Sequence, residues 1–539
     1  MDSVQLLDTT LRDGVQGEGV SLSVEDKFRI AQKLDFLGIA YIEGGFPGAN
    51  PKDEEFFRRA GAELRLKCAR LAAFGSTRRP TATAERDAGV RALVESGAPV
   101  ATIVGKAWDF HVREALRVSL DDNLAMIADT VAWLKRNGME VIFDAEHFFD
   151  GYRHNPEYAL ATLRAATDAG VDWVALCDTN GGSLPGLVAD VVRTVRAHVD
   201  ARVAIHTHND CELGVANTLA AVEAGAAMVH GTINGIGERC GNANLASIIP
   251  NLELKMDIRC LPSREHLAHL TEASRHISEI ANLVPHSYQP FVGRSAFAHK
   301  GGIHASAIAR NPDTYEHIRP ELIGNARRIL VSEQSGLSNL KHRAQEFGFD
   351  IRERAAEARA LLERIKELEY QGYQFEGAEA SQELLFVKAF GDYEELFQFE
   401  SIRVESAKQH GSTIISEAIV KLSVGGETVH TVAEGNGPVN ALDNALRKAL
   451  RPFYPVIDSM HLTDYKVRVI DEKDGTAAKV RVLIESTNGD GLWRTVGVSE
   501  NVIEASWEAL SDSVCYFVLR VAKRGVHRAP PAHPVTQRA

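Results

Sequence analysis

Cysteine is scarce in this chain. The 539 residues hold six, Cys68, Cys177, Cys211, Cys240, Cys260 and Cys515, and no two form a CxxC pair. Neither a disulfide framework nor a zinc ribbon is expected, and the scatter fits a reduced, cytoplasmic protein. Long apolar runs are missing as well. No stretch approaches the roughly 18 residues that a membrane-spanning helix needs, so no membrane partner is expected. The opening MDSVQLLDTTLRDG turns charged too early for a signal peptide. An excess of positive charge is also absent, with 60 Lys and Arg against 73 Asp and Glu and a net charge of −13. General attraction to nucleic acid or to anionic membrane is therefore not expected. What is present is an ordinary globular balance, 45% hydrophobic and 25% charged, in a length that suits two to four domains.

The first 250 residues have a rhythm. Short apolar runs rich in β-branched residues alternate with stretches of helical periodicity: VQLL (4–7), AYIEGGF (40–46), RLAAFGS (70–76), VATIVGK (100–106), EVIFDAEH (140–147), WVALCDT (173–179), VAIHTHND (203–210) and MVHGTIN (228–234). A helix is predicted to start at Ser23, with Asp26 placed for a capping box. Eight strand–helix units with near-continuous apolar strands predict an α/β fold, a closed (β/α)8 TIM barrel. A doubly wound sheet is the competitor, weakened because no GxGxxG follows the first strand.

The barrel is expected over 1–285. Residues 286–393 lose the alternation and are expected to form linker and helical subdomains, including a solvated helix from about 350. From 394 to 525 the chain becomes strand-rich and repeats itself. HTVAEGNGPVNALDNAL (430–446) aligns without gaps on RTVGVSENVIEASWEAL (494–510), which predicts an α+β domain with one helix per copy. Residues 526–539 read as a disordered tail.

Polar residues gather at the strand ends, where a barrel collects its catalytic groups. In His206-Thr207-His208, alternate residues of a strand point one way, so both imidazoles can face one ion. Asp13, just past the first strand, neighbours them once the barrel closes. Two nitrogens, a carboxylate and further oxygens suit Mg²⁺, Mn²⁺ or Zn²⁺. Arg12 offers a fixed guanidinium for a carboxylate or a developing oxyanion. Thr179 is a candidate for binding a substrate carboxylate. Glu146 follows the apolar VIFDA, where partial burial would suit it to acid or base work, and Glu43 and Glu238 compete for that description. Phe74, Val104 and Phe143 are assigned to an apolar acceptor pocket with no partner for a second carboxylate.

LLDTTLRDGVQGEG, FDAEHFFDGY, LCDTNGG, IHTHND, NGIGERCGNANL and HKGGIHASA together resemble the isopropylmalate, homocitrate and citramalate synthase family, in the family's order and over nearly the whole chain. FGSTRR (74–79) and KAWDFHV (106–112) look like its citramalate branch. GNGPVNALDNAL resembles the family's C-terminal regulatory and dimerisation module, of LeuA type. The resemblance implies a metal-dependent acyltransferase that condenses acetyl-CoA with a 2-oxo acid, here pyruvate, to give citramalate, the first step of a threonine-independent isoleucine route. By motif, Asp13, His206, His208 and Asn242 match the metal ligands. Arg12 matches the residue that steadies the keto oxygen, Thr179 the carboxylate binder and Glu146 a catalytic acid. His304 and Tyr315 match a pair that reaches over the partner's barrel, which implies a homodimer. The module implies an amino-acid effector, isoleucine for citramalate formation, with Gly435, Pro438, Ser499 and Asn501 as candidate contacts. Two alternatives are a 2-isopropylmalate synthase using 2-oxoisovalerate and a non-catalytic branched-chain amino-acid sensor. A hydroxymethylglutaryl-CoA lyase shares the barrel and the HxH pair but is not expected to carry the C-terminal repeat.

Overall fold

Eight parallel strands close into a barrel: β1 (Gln5–Asp8), β2 (Tyr41–Gly45), β3 (Arg70–Ser76), β4 (Val100–Lys106), β5 (Glu140–Glu146), β6 (Trp173–Asp178), β7 (Arg202–Thr207) and β8 (Met228–Gly231). Each falls within or one residue beyond a predicted run. The computed structural model describes residues 3–330, 337–391, 393, 395–408, 414–470, 478–489 and 491–522. Closure comes from β1 pairing with β8, Leu6 opposite Val229 and Leu7 opposite His230.

Strand parity sorts the side chains into two layers. Leu7, Ala72, Val100, Ile142, Trp173, Ala204 and Met228 pack against one another inside the barrel. Leu6, Ile42, Ala73, Ala101, Val141, Phe143 and Val203 join the larger core formed with the surrounding helices. Between β1 and β2, helix α1 (Val24–Leu37) starts at Ser23, whose hydroxyl accepts from the Asp26 N–H while Asp26 accepts from the Ser23 N–H, the predicted capping box. Helix α2 (Pro51–Glu63) follows β2.

Within the described residues the chain forms two compact units, Met1–Phe297 with Glu316–Arg327, and Ala298–Tyr315 with Arg328–Ala539. The expected linker region 286–393 is thus divided between the two. Its charged helix, Ala355–Gln371, is not solvated all round: Leu361, Leu362, Ile365 and Leu368 are buried along one face, because its apolar residues recur at helical spacing among the charges. The expected tail, 526–539, lies outside the described residues.

The second unit contains two antiparallel three-stranded sheets, each followed by a helix. Strands Gln398–Ala407, Ile415–Val424 and Glu427–Gly435 lead to helix Pro438–Leu450; strands His461–Val469, Val480–Thr487 and Leu492–Ser499 lead to helix Val502–Tyr516. The shared residues of the repeat do the same work in both copies. Thr431 Oγ1 donates to Ala445 O at 2.9 Å, and its counterpart Thr495 donates to Ala509 O at 2.7 Å. Among the described residues, no helix is long and apolar enough to cross a membrane, and all six cysteines are free.

Candidate active site

One end of the barrel holds a cavity of 280 Å³ lined by Arg12, Asp13, Gln16, Phe74, Val104, Asp144, Glu146, Cys177, Thr179, His206, His208 and Glu238. The residues come from seven of the eight strands or the loops that follow them, which explains why positions as far apart in sequence as Arg12 and Glu238 meet here.

His206 ends inside β7 and His208 lies just beyond it, so period-two geometry turns both rings inward. Their Nε2 atoms are 3.3 Å apart, and Asp13 Oδ2 lies 3.4 Å from His206 Nε2. One ligand atom from each of Asp13, His206 and His208 falls within 4.8 Å of the others. Burial depresses both imidazole pKa values, His206 furthest, so both rings are neutral and keep lone pairs for an ion. Burial pushes the Asp13 carboxyl up, but the Arg12 charge, with the Asn242 side-chain hydrogen bond, favours the ionised group and its pKa ends below the usual value. Asn242 pairs with His208 through an isolated bridge, and its Oδ1 is buried without a hydrogen-bond partner. Two facing neutral nitrogens, an ionised carboxylate and an orphaned amide oxygen are a donor set that fits a divalent cation.

Arg12 is fixed from three sides. Its Nε donates to Glu43 Oε2 at 2.6 Å, its Nη1 lies 3.3 Å from Asp13 Oδ2, and its guanidinium carbon stands 4.0 Å above the Phe74 ring. Burial works against its charge, but Glu43 and Asp13 raise its pKa further still. Burial likewise raises the Glu43 carboxyl pKa, with Arg12 pulling it back. Glu238 lines the cavity, whereas Arg239 is held mainly by Asp210, at 2.8 and 3.0 Å.

Thr179 Oγ1 accepts from the His147 N–H at 2.9 Å, which leaves its own hydroxyl hydrogen free to donate into the cavity. The Thr179 carbonyl accepts from Arg239 Nη2 at 2.7 Å, so the residue is tied at both ends. Glu146 is not enclosed by apolar side chains as its sequence context suggested. Its carboxylate pairs with Lys106, the inward residue at the matching position of β4, and both are about one quarter exposed.

Phe74 and Val104 line the cavity; Phe143 does not. Its side chain is fully buried in the helix-facing layer, against Gly105, where an added Cβ would come within 2.6 Å of the ring. The apolar run VIFDA hides its own parity, and it is Asp144 that faces inward. Asp144 and His230 are the residues that the sequence reading passed over. Their Oδ1 and Nδ1 atoms are 3.7 Å apart, neither has a hydrogen-bond partner, and both residues are buried. Burial and Glu43 raise the Asp144 carboxyl pKa well above the usual range, and burial with the Arg12 charge lowers the His230 pKa to about 3. A polar residue inside an otherwise apolar strand was the available signal for both.

His304 and Tyr315 belong to the second unit, where they meet each other: their rings stack with centroids 4.2 Å apart. The candidate effector contacts carry local structural duties there. Gly435 abuts the Ala441 N–H, Pro438 opens the helix Pro438–Leu450, Ser499 donates to Glu504, and Asn501 caps Val502–Tyr516. The neighbouring cavity, 590 Å³, is lined instead by residues that include Val439, Asp443, Arg451, Met460, Leu462 and Tyr465.

Residues 3–282 match the HMGL-like family, residues 291–372 the homocitrate synthase post-HMGL domain-like family, and residues 376–518 the LeuA allosteric (dimerisation) domain. The chain is 56% identical to an (R)-citramalate synthase of Aquifex aeolicus, with 97% of this chain and 99% of that one covered. It is 54% identical to an (R)-citramalate synthase of Geobacter sulfurreducens, covering 96% and 98%, and 55% identical to one of Synechocystis sp., covering 95% and 96%.

Proposed function

The chain belongs to the (R)-citramalate synthases of the HMGL-like family, and from that premise we propose how its barrel performs the reaction. It is an acyltransferase that condenses acetyl-CoA with pyruvate and water to give citramalate and free coenzyme A. The observation that carries the reading is the sharing of one cavity by a pinned guanidinium, Arg12, and the Asp13–His206–His208 cluster.

The acetyl methyl loses a proton, the resulting carbanion adds to C2 of pyruvate, and the new alkoxide takes up a proton. Water then cleaves the thioester and coenzyme A leaves as its thiol. Asp13, His206, His208 and Asn242 would hold a divalent ion, Mg²⁺, Mn²⁺ or Zn²⁺, whose chemistry is Lewis-acid polarisation of the ketone. Arg12 places fixed positive charge where the ketone oxygen becomes an alkoxide, and it needs no reorganisation as that charge develops. Thr179 donates its free hydroxyl hydrogen to the pyruvate carboxylate. Glu146 handles the protons of the methyl group, the alkoxide and the attacking water, a task that the motif match shares with His304 and Tyr315, which the resemblance supplies across a dimer. Phe74 and Val104 bound the side of the acceptor methyl. Among the described lining residues, Arg12 is the sole Lys or Arg, which leaves no cationic partner for a second acceptor carboxylate.

The reading extends to a cytoplasmic homodimer restrained by isoleucine. The 590 Å³ cavity offers Met460, Leu462 and Val439 to an aliphatic side chain and Asp443 and Arg451 to an amino acid's charged ends. Isoleucine is expected to lower turnover and raise the melting temperature; if it does neither, this part of the reading fails. The reaction itself is tested by product identity. Methyl-labelled [¹³C]acetyl-CoA and pyruvate should give labelled citramalate by NMR, whereas labelled 2-isopropylmalate from 2-oxoisovalerate alone would move the chain to the other branch.

A further inference from the structure

Helices α1 and α2 bury an ion pair that the reaction does not use. Lys27, 1% exposed, pairs its ammonium with the carboxylate of Asp53, 5% exposed. Such pairs often add little net stability, because desolvating two charges offsets their attraction. The other bonds of this pair run to the end of β2 and the residue just beyond it. Lys27 Nζ donates to Gly44 O at 2.9 Å, and Asp53 Oδ2 accepts from the Phe46 N–H at 2.9 Å. Gly45 sits between these anchors at φ +145°, where an added Cβ would fall 2.4 Å from the Asp53 carboxyl carbon. No side chain fits there, so the strand end lies flat against the carboxylate.

The same strand end carries a partner of Arg12. Glu43, one residue before the pinned segment, accepts the Arg12 Nε hydrogen bond. Phe46 packs edge-on against Phe74, centroids 5.5 Å apart, and Phe74 is the ring beneath the guanidinium. The register of β2 against β3 slips between Glu43 and Gly45, so the strand ladder does not itself dictate the path of the segment. The buried pair supplies the missing restraint.

We propose that Lys27 and Asp53 are positioning residues for Arg12, acting through Glu43 and Phe46 on the guanidinium that meets the reacting oxygen. The inference rests on the alkoxide role given to Arg12 above. A helix-to-helix staple would predict loss of stability alone; a positioning pair predicts loss of turnover even where stability is kept.

The test uses the full-length enzyme and the variants Lys27→Met and Lys27→Met/Asp53→Leu, the second replacing both charges by apolar side chains so that no buried charge is stranded. Amide hydrogen exchange over residues 43–46 reads the pin without any turnover, and it should speed up in both variants. Steady-state kinetics should show kcat down by about tenfold to a hundredfold, with the KM for acetyl-CoA unchanged, in the double variant at near wild-type melting temperature. In an Arg12→Ala background the same substitutions should cost less than about twofold, because their effect passes through Arg12. Unchanged exchange, wild-type kcat in a folded double variant, or full additivity with Arg12→Ala would each overturn the proposal. A wild-type enzyme that releases no coenzyme A from pyruvate would refute the function instead, and the exchange measurement would still decide the pin.

Discussion

Glu43 Oε2, on a fully buried side chain, lies 2.6 Å from Arg12 Nε, so the guanidinium proposed to meet the reacting ketone is held in place by the barrel itself. Arg12→Lys keeps the charge but loses the planar fork that bonds Glu43 and stacks on Phe74. Its kcat is expected to fall by about a hundredfold to a thousandfold, the usual cost of losing a preorganised oxyanion donor. Glu43→Gln keeps a hydrogen-bond acceptor and should lose less. Steady-state coenzyme A release measures both.

Removal of divalent metal by a chelator should abolish turnover, and restoring it should also raise the melting temperature, since a ligand that binds the native state alone stabilises it by about 2.7 kcal/mol at a hundredfold excess over Kd. Asn242→Ala removes the orphaned amide oxygen and should weaken metal affinity measured by calorimetry. Equal affinity in variant and wild type would remove Asn242 from the ligand set.

Phe143 and Phe74 separate stability from specificity. Phe143→Ala opens a hole in the helix-facing core and should cost about 3–5 kcal/mol of stability with acceptor preference unchanged. Val104→Ala and Phe74→Leu act on the cavity wall and should shift kcat/KM toward 2-oxobutyrate. Competition assays between the two oxo acids, with a denaturant curve for each variant, distinguish the roles.

Legibility in the sequence varied with the range of the physics involved. The eight strands could be read because each is a short β-branched run, and Asp13 could be placed near His206 and His208 because an eight-stranded sheet must bring β1 back beside β8. The hold of Glu43 on Arg12 needed the barrel itself, since it joins residues from adjacent strands with a helix between them. Phe143 was misassigned because a strand buried on both faces carries apolar residues at both parities, so hydrophobicity does not reveal which side faces inward. Asp144, a carboxylate within that run, was the better guide. Ser499 and Asn501 are a different case: they are cap and turn residues, types favoured there for backbone bonding whatever the function, so their presence in the sequence does not by itself point to an effector.

In the second unit, Asp512 is half-buried and desolvation raises its carboxyl pKa to about 6, with Ser381 Oγ donating to it at 2.7 Å. A carboxyl with its folded pKa above its unfolded value takes up protons on folding, so its contribution is fully present below about pH 4 and is lost as the pH rises through about 6. Asp512→Asn keeps the acceptor and cannot ionise. It should stabilise the protein at pH 8 by up to about 3 kcal/mol and have little effect at pH 4. Equal melting temperatures of variant and wild type at both pH values would contradict this.

The most direct test is coenzyme A release from acetyl-CoA with a divalent metal and, separately, pyruvate, 2-oxobutyrate, 2-oxoisovalerate and 2-oxoglutarate. A clear preference for pyruvate that disappears on chelation is predicted. Preference for 2-oxoisovalerate would contradict the assignment of the acceptor pocket, and no release from any of the four would contradict catalysis altogether.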